Sequence, residues 1–103
     1  MNYIDVCDID DIDEEDVMRF DHGEDTFAIY RTEDGYFATA GLCTHEEVHL
    51  EDGLVIEDVI ECPLHQGRFN VRTGEALSAP ACVNLKTYPV KVDGRRVMMD
   101  LDG

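Results

Sequence analysis

Two pairs of side chains able to bind a metal stand on short turns in the middle of the chain. The stretch ECPLHQGRF contains Cys62 and His65, three positions apart. Upstream, GLCTHEEVHLEDG contains Cys43 and His45, two positions apart, and sixteen residues separate the pairs. Thiolate sulfur and imidazole nitrogen bind zinc and iron. The spacing therefore predicts a metal centre closed by two loops.

A mononuclear zinc ion and a two-iron cluster are the two centres considered for this donor set. Zinc-finger spacings group Cys with Cys and His with His, whereas here each loop carries one of each. The mixed arrangement favours a [2Fe–2S] cluster in which one iron takes both thiolates and the other takes both imidazoles, the ligand set of Rieske centres. A structural zinc site on the same four residues stays open as an alternative.

Short β-type segments separated by turns must position these loops. They are predicted at Tyr3–Cys7, Val17–Phe20, Thr26–Arg31, Tyr36–Ala40, Leu54–Ile56, Val59–Cys62, Arg68–Val71, Leu85–Val92 and Arg96–Leu101. TEDG, residues 32–35, is typical of a hairpin turn. Regularly spaced short strands favour an antiparallel sandwich or barrel.

Two segments fit no strand pattern. DIDEEDVM, residues 11–18, has acids at its front and suits either a short helix or a turn. RTGEALSAPAC, residues 72–82, contains Gly74 and Pro80 and predicts a turn-rich loop long enough to cover part of the molecule.

The chain is short and strongly acidic. Its 103 residues suit one domain, and 24 Asp and Glu against 8 Lys and Arg give a formal net charge of −16. This charge argues against nucleic acid as a partner. It favours a protein partner with a basic patch; the alternative is that these acids form a solvated face that only keeps the protein soluble.

No membrane or export signal is evident. No stretch approaches the roughly 20 apolar residues of a membrane helix, and MNYIDVCDIDDIDEED lacks the basic start and apolar middle of a signal peptide. We therefore expect a cytoplasmic protein without membrane contact. In a reducing compartment, closely spaced Cys and His favour metal binding over disulfides.

CTH and CPLHQGRF, together with TGEALSAP downstream, resemble the Rieske ferredoxins that serve bacterial ring-hydroxylating dioxygenases, over nearly the whole chain. The resemblance implies an all-β Rieske fold, an antiparallel β-sandwich base with a small cluster-binding subdomain formed by two loops. Residues 1–103 would form one domain, with that subdomain over approximately 41–82. Cys43 and Cys62 would bind one iron, and His45 and His65 the other.

The implied function is electron transfer rather than catalysis. One electron would pass from an NADH-dependent flavoprotein reductase through the [2Fe–2S] cluster to a terminal oxygenase, and we expect a shuttling monomer. A nitrite reductase-like small subunit and a zinc-stabilised interaction module are alternatives. The Rieske portion of an oxygenase would need a further mononuclear iron site, for which only His22 and His49 remain.

Neutral imidazoles place the reduction potential above that of an all-cysteine cluster. The formal cluster charge changes from 0 to −1 on reduction, against −2 to −3 with four thiolates, and Rieske potentials span about −150 to +300 mV. Gly67 and Phe69 stand where respiratory Rieske proteins carry hydroxyls, and Val48 and Leu64 where those carry an extra disulfide. The sequence therefore predicts a potential at the low end, about −150 mV.

Several further residues invite an interpretation. Gly67 either lets backbone N–H groups approach sulfur or adopts positive φ, Pro63 stiffens its loop, and the loop around Pro80 resembles a third loop that packs over the cluster. Asn70 replaces an aspartate common in the family.

The remaining candidates are assigned lesser roles. His49 is interpreted as a loop histidine near the docking surface, and Cys7 and Cys82 as buried strand residues, with a disulfide between them as a minor alternative. A group of acids beside His45 would either steer a partner or form a solvated loop: Glu46, Glu47, Glu51 and Asp52.

Overall fold

The computed structural model describes residues 1–44, 48–63, 66–78 and 83–103. Within these ranges the chain forms eleven β-strands and one 3₁₀ helix, Leu50–Asp52. The strands are β1 Tyr3–Asp8, β2 Asp16–His22, β3 Asp25–Thr32, β4 Gly35–Ala40, β5 Leu54–Ile56, β6 Val59–Glu61, β7 Arg68–Asn70, β8 Ala76–Ser78, β9 Thr87–Tyr88, β10 Val90–Asp93 and β11 Arg96–Asp100. The all-β prediction is confirmed.

The strands form three antiparallel sheets. Their strand orders are β1-β11-β10, β2-β3-β4-β9 and β5-β6-β7-β8. The first two sheets form the base, and the third carries the residues around Cys62. The residues on both sides of Cys62 thus belong to a small sheet in its own right.

Strand β3 joins the two parts because it is buried on both faces. Its four residues 27–30 are each at most 4% exposed. Phe27 and Ile29 pack in the core shared with β1 and β11, whereas Ala28 and Tyr30 pack in the core shared with β5, β6 and β7. A continuous apolar run is what burial on both faces requires.

The third sheet is inserted between two neighbouring strands of the second. Strands β4 and β9 pair through Ala38 with Tyr88 and Thr39 with Thr87. The N–H of Ala40 donates to the carbonyl of Lys86 at 2.9 Å. The chain therefore leaves the base and returns to it at adjacent points.

Two-residue turns close the hairpins β2–β3, β3–β4, β5–β6 and β10–β11. The predicted TEDG turn is confirmed, since Thr32 pairs with Gly35. The first turn residue has positive φ at Gly23 (62°), Glu57 (54°) and Gly94 (63°), as turns matching the right-handed twist of the strands require.

Three predicted segments differ in the structure. Residues 11–15 form bends and turns, and β2 begins at Asp16, so the helical option for 11–18 is wrong. The segment 72–82 is not all loop, because β8 pairs with β7 through a register shift between Arg68 and Phe69. The predicted strand Leu85–Val92 is two strands in two sheets, interrupted at Pro89.

The division at position 89 has a physical reason. Proline lacks the N–H that a ladder needs, so pairing on one sheet ends there and resumes on another. The part of the chain that the structure describes contains no helix long and apolar enough to cross a bilayer.

Candidate metal centre

The two predicted ligand loops are closed in the same way. The N–H of Cys43 donates to the carbonyl of Val48 at 2.9 Å, and the N–H of Cys62 donates to the carbonyl of Gly67 at 2.7 Å. Both bonds join a cysteine to the residue five positions later. Each cysteine therefore begins a loop closed over the same number of residues, although the sequence places the two histidines at different offsets.

An antiparallel pair of residues flanks each loop. Leu42 forms an isolated bridge with His49, and Glu61 pairs with Arg68 in the β6–β7 ladder. The guanidinium of Arg68 also lies 3.2 Å from the Glu61 carboxylate. Both loops therefore start and end on a paired stem.

The two thiols are buried in one core. Cys43 is 4% exposed and Cys62 1%, and both belong to the cluster of buried residues that includes Leu50, Ile60 and Phe69. Cysteines from separate loops are therefore brought to the same apolar region, as a cluster with both thiolates on one iron requires.

The predicted histidine ligands lie outside the described residues. His45, Glu46 and Glu47 belong to the first gap and Leu64 and His65 to the second, while 79–82, with Pro80 and Cys82, form the third. Among the described residues no three metal-binding side chains converge, and two of the four predicted ligands lie outside these residues.

The residues around the second loop differ partly from expectation. The left-handed residue described in this loop is Gln66, with φ 58°, so positive φ is not the role of Gly67. Gly67 is buried, and its carbonyl accepts the Cys62 N–H. Phe69 is fully buried in the same core as both cysteines, without a hydroxyl to donate.

A pair of buried hydroxyls near the first loop was missed by sequence reasoning. The oxygens of Tyr30 and Thr39 lie 2.9 Å apart, and the Thr39 hydroxyl donates to the carbonyl of Ala40 at 2.8 Å. Tyr30 must therefore donate to Thr39. Burial raises the pKa of Tyr30, so its hydroxyl stays protonated.

The lesser candidates have structural explanations. His22 is exposed at the end of β2, beside the turn at Gly23. Cys7 is a buried residue of β1, as predicted, and burial raises the pKa of its thiol to about 11. His49 is partly buried, and its Nδ1 has no hydrogen-bond partner within the described ranges.

A family comparison decides between the two metal centres. Residues 2–89 match the family model described as the Rieske [2Fe-2S] domain. The chain belongs to the Rieske [2Fe–2S] family. The zinc alternative is set aside, and the cofactor is a [2Fe–2S] cluster.

Relatives of this Rieske protein are similar over nearly their whole length. It is 48% identical to the ferredoxin component of the naphthalene 1,2-dioxygenase system of Pseudomonas aeruginosa, covering 96% of this chain and 95% of that one. It is 38% identical to the biphenyl dioxygenase ferredoxin subunit of Pseudomonas sp. strain KKS102, covering 97% and 93%. The Rieske chain is accordingly an electron-transferring ferredoxin rather than an enzyme.

Solved structures agree with this assignment. A chain in the complex of reduced oxygenase and oxidized ferredoxin of carbazole 1,9a-dioxygenase matches with a TM-score of 0.90 and 37% identity, covering 94% of this chain and 91% of that one. A nitrite reductase small subunit matches at 20% identity and a TM-score of 0.84, covering 96% and 98%, which shows the fold alone.

The chemistry of the Rieske donor set fits the cofactor. Cys43 and Cys62 are buried in one apolar core, and their loops begin with the same main-chain closure. A cluster with two thiolates and two neutral imidazoles is formally uncharged when oxidised, and a low-dielectric core accepts it more readily than a doubly charged all-thiolate cluster.

Proposed function

We propose that Cys43 and Cys62 bind one iron of the cluster and His45 and His65 the other. The common burial of the two thiols at the starts of two equivalent loop tips is the observation that carries this proposal. Each loop then supplies one ligand to each iron. We further propose that residues 1–103 act as one domain, with the cluster-binding part over approximately 41–82.

The partners proposed are an NADH-dependent flavoprotein reductase as donor and a terminal ring-hydroxylating oxygenase as acceptor. Support comes from relatives at 48% and 46% identity that are ferredoxin components of naphthalene 1,2-dioxygenase systems. A structural neighbour is described in complex with its oxygenase. We propose a cytoplasmic monomer that shuttles between the two.

The protein's own residues hold the centre rigid and partly dry. When bound, the cluster accepts and releases one electron. Leu50, Ile60 and Phe69 surround the cysteines with apolar atoms and exclude water from that side. The ladder pair Glu61–Arg68 fixes the stem of the second loop, so little of the protein must rearrange when the charge changes.

Ligand substitutions with matched controls test the ligand set. Cys43→Ala and Cys62→Ala should each abolish binding of iron and acid-labile sulfide after anaerobic reconstitution. Cys7→Ala, which removes a buried thiol of β1 outside the loops, should keep both. Similarly, His45→Ala and His65→Ala should lose the Rieske-type electron paramagnetic resonance (EPR) spectrum, whereas His22→Ala should retain it.

Electron transfer tests the partners. The holoprotein should be reduced by a flavoprotein reductase of a naphthalene-type system with NADH, and should then support turnover by the matching oxygenase. Reconstituted protein with a full cluster that accepts no electrons from any such reductase would contradict the partner assignment while leaving the ligand set intact.

A further inference from the structure

The hydroxyl of Thr44, in the first ligand loop, forms a hydrogen bond with a residue that is distant in sequence. It donates to the carbonyl of Val83 at 2.6 Å, and 39 positions separate the two residues. Thr44 directly follows Cys43, and Val83 directly follows the segment 79–82. The bond therefore joins the first loop to residues 83–86, the described part of the connection from β8 to β9, which is called the returning segment below.

The returning segment is anchored on its other side without Thr44. The side-chain oxygen of Asn84 accepts the N–H of Ala76 at 2.9 Å. The N–H of Leu85 donates to the carbonyl of Gly74 at 2.8 Å, and Leu85 is buried in the core that contains both cysteines. Residues 84 and 85 are thus held against the β7–β8 connection, and position 83 is where the segment meets the first loop.

Close packing makes this anchoring specific. A β-carbon at Gly74 would overlap the carbonyl oxygen of Leu85, so the connection and the returning segment lie in direct main-chain contact. Residues 84 and 85 are fixed in this way, and the Thr44–Val83 hydrogen bond ties the preceding residue to the residue that follows Cys43.

We propose that Thr44 is a positioning residue, a latch that holds the returning segment against the first ligand loop and so slows release of the cluster. This inference rests on the proposed ligation by Cys43. Both Thr44 and Val83 are exposed, so water competes for the bond. Its loss should therefore change the rate of cluster release several-fold rather than prevent assembly.

Three substitutions at position 44 and one control isolate the hydroxyl. Thr44→Val keeps the shape and removes the donor, Thr44→Ala removes donor and branching together, and Thr44→Ser keeps the donor. Thr32→Val is the control, because the Thr32 hydroxyl accepts the N–H of Asp34 at 3.1 Å in the β3–β4 turn, outside residues 41–82 and the returning segment.

The measurement is the loss of visible absorbance of the oxidised holoprotein in excess iron chelator at neutral pH. From the usual net contribution of one hydrogen bond, Thr44→Val and Thr44→Ala should lose the cluster about three- to tenfold faster than the wild type, and Thr44→Ser less than about twofold faster. Thr32→Val should match the wild type.

Two readouts separate positioning from general destabilisation. The EPR spectrum of the reduced protein should broaden in Thr44→Val and be restored in Thr44→Ser. Amide hydrogen exchange over residues 83–88 should accelerate in Thr44→Val, whereas the β2–β3 hairpin should exchange at the wild-type rate.

The latch is wrong if Thr44→Val and Thr44→Ala release the cluster at the wild-type rate, or if Thr44→Ser or Thr32→Val is as fast as they are. Failure of the ligand set looks different. In that case Cys43→Ala would keep iron and sulfide, whatever residue occupies position 44.

Discussion

Gly53 packs against the carbonyl oxygen of Glu61 so closely that a β-carbon at position 53 would overlap that oxygen. Gly53 ends the 3₁₀ helix, its N–H donating to the carbonyl of Leu50 at 2.9 Å. Glu61 ends β6 and is followed directly by Cys62. The absence of a side chain at position 53 therefore helps to set where the second ligand loop begins.

Gly53→Ala should displace the Glu61 carbonyl, because the obstructing atom is main chain and cannot rotate away. We expect destabilisation by about 1–3 kcal/mol, the usual cost of overpacking, together with lower iron and sulfide content. Urea unfolding and iron analysis measure the two effects.

Gly23→Ala is the matched control. Position 23 has φ 62° and open space around it, so alanine there should cost about 1–2 kcal/mol of backbone strain without loss of iron. Equal iron loss in both variants would contradict the proposed role of Gly53.

The reduction potential should lie at the low end of the Rieske range, about −150 mV. Phe69 packs with both cysteines and lacks a hydroxyl, and the Tyr30 proton is directed to Thr39. Phe69→Tyr adds a hydroxyl that can donate a hydrogen bond to sulfur. Such a bond stabilises the more negative reduced state, so the substitution should raise the reduction potential.

Tyr30→Phe is the comparison for this change. Tyr30→Phe should shift the reduction potential less than Phe69→Tyr, because the Tyr30 hydroxyl donates to Thr39. It should lower the free energy of unfolding by about 1 kcal/mol. Protein-film voltammetry measures both. A strongly positive wild-type potential would refute the interpretation of positions 67 and 69.

Acidic residues beside the first loop should steer the reductase unequally. Glu51 lies 3.5 Å from the guanidinium of Arg19, which offsets its charge, whereas Asp52 is exposed. Asp52→Lys should slow reduction at low ionic strength and flatten its salt dependence more than Glu51→Lys does. Stopped-flow measurement of the reduction rate across a salt series checks this, with Asp93→Lys in β10 as control. Equal rates and equal salt dependence in the Asp52, Glu51 and Asp93 variants would contradict the prediction.

Asp34 makes a pH-dependent contribution to stability. The neighbouring Asp58 raises the pKa of Asp34, an effect that Arg72 partly opposes. A carboxyl whose pKa is raised by folding binds its proton more tightly in the folded state, so its contribution is complete below the ordinary value of about 3.9 and is lost as pH rises through the raised pKa.

Asp34→Asn should accordingly raise the urea midpoint at pH 7 and have progressively less effect as pH falls toward about 4. Asp93→Asn removes the same charge from another surface of the acidic protein and serves as control. An equal gain from Asp93→Asn at every pH would assign the effect to net charge rather than to the pair.

Most strands were predictable because each follows local rules. The run around residues 27–30 is apolar at every position, and the structure buries it on both faces. The missed strand β8 has three residues with intermediate or exposed side chains. Its pairing with β7 depends on a partner distant from any local signal, so no periodicity marks it.

Residue type and spacing alone predicted the donor chemistry that we propose: two sulfurs and two nitrogens, one of each per loop, and hence the cluster and its range of reduction potential. Whether a ligand atom is a thiolate sulfur or an imidazole nitrogen depends only on the residue type. The equal closures at Cys43 and Cys62, the Gly53–Glu61 contact and the Thr44–Val83 bond were decided by the tertiary structure. Each joins atoms whose approach depends on the packing of whole sheets, and close packing is a property of the folded chain rather than of any short segment.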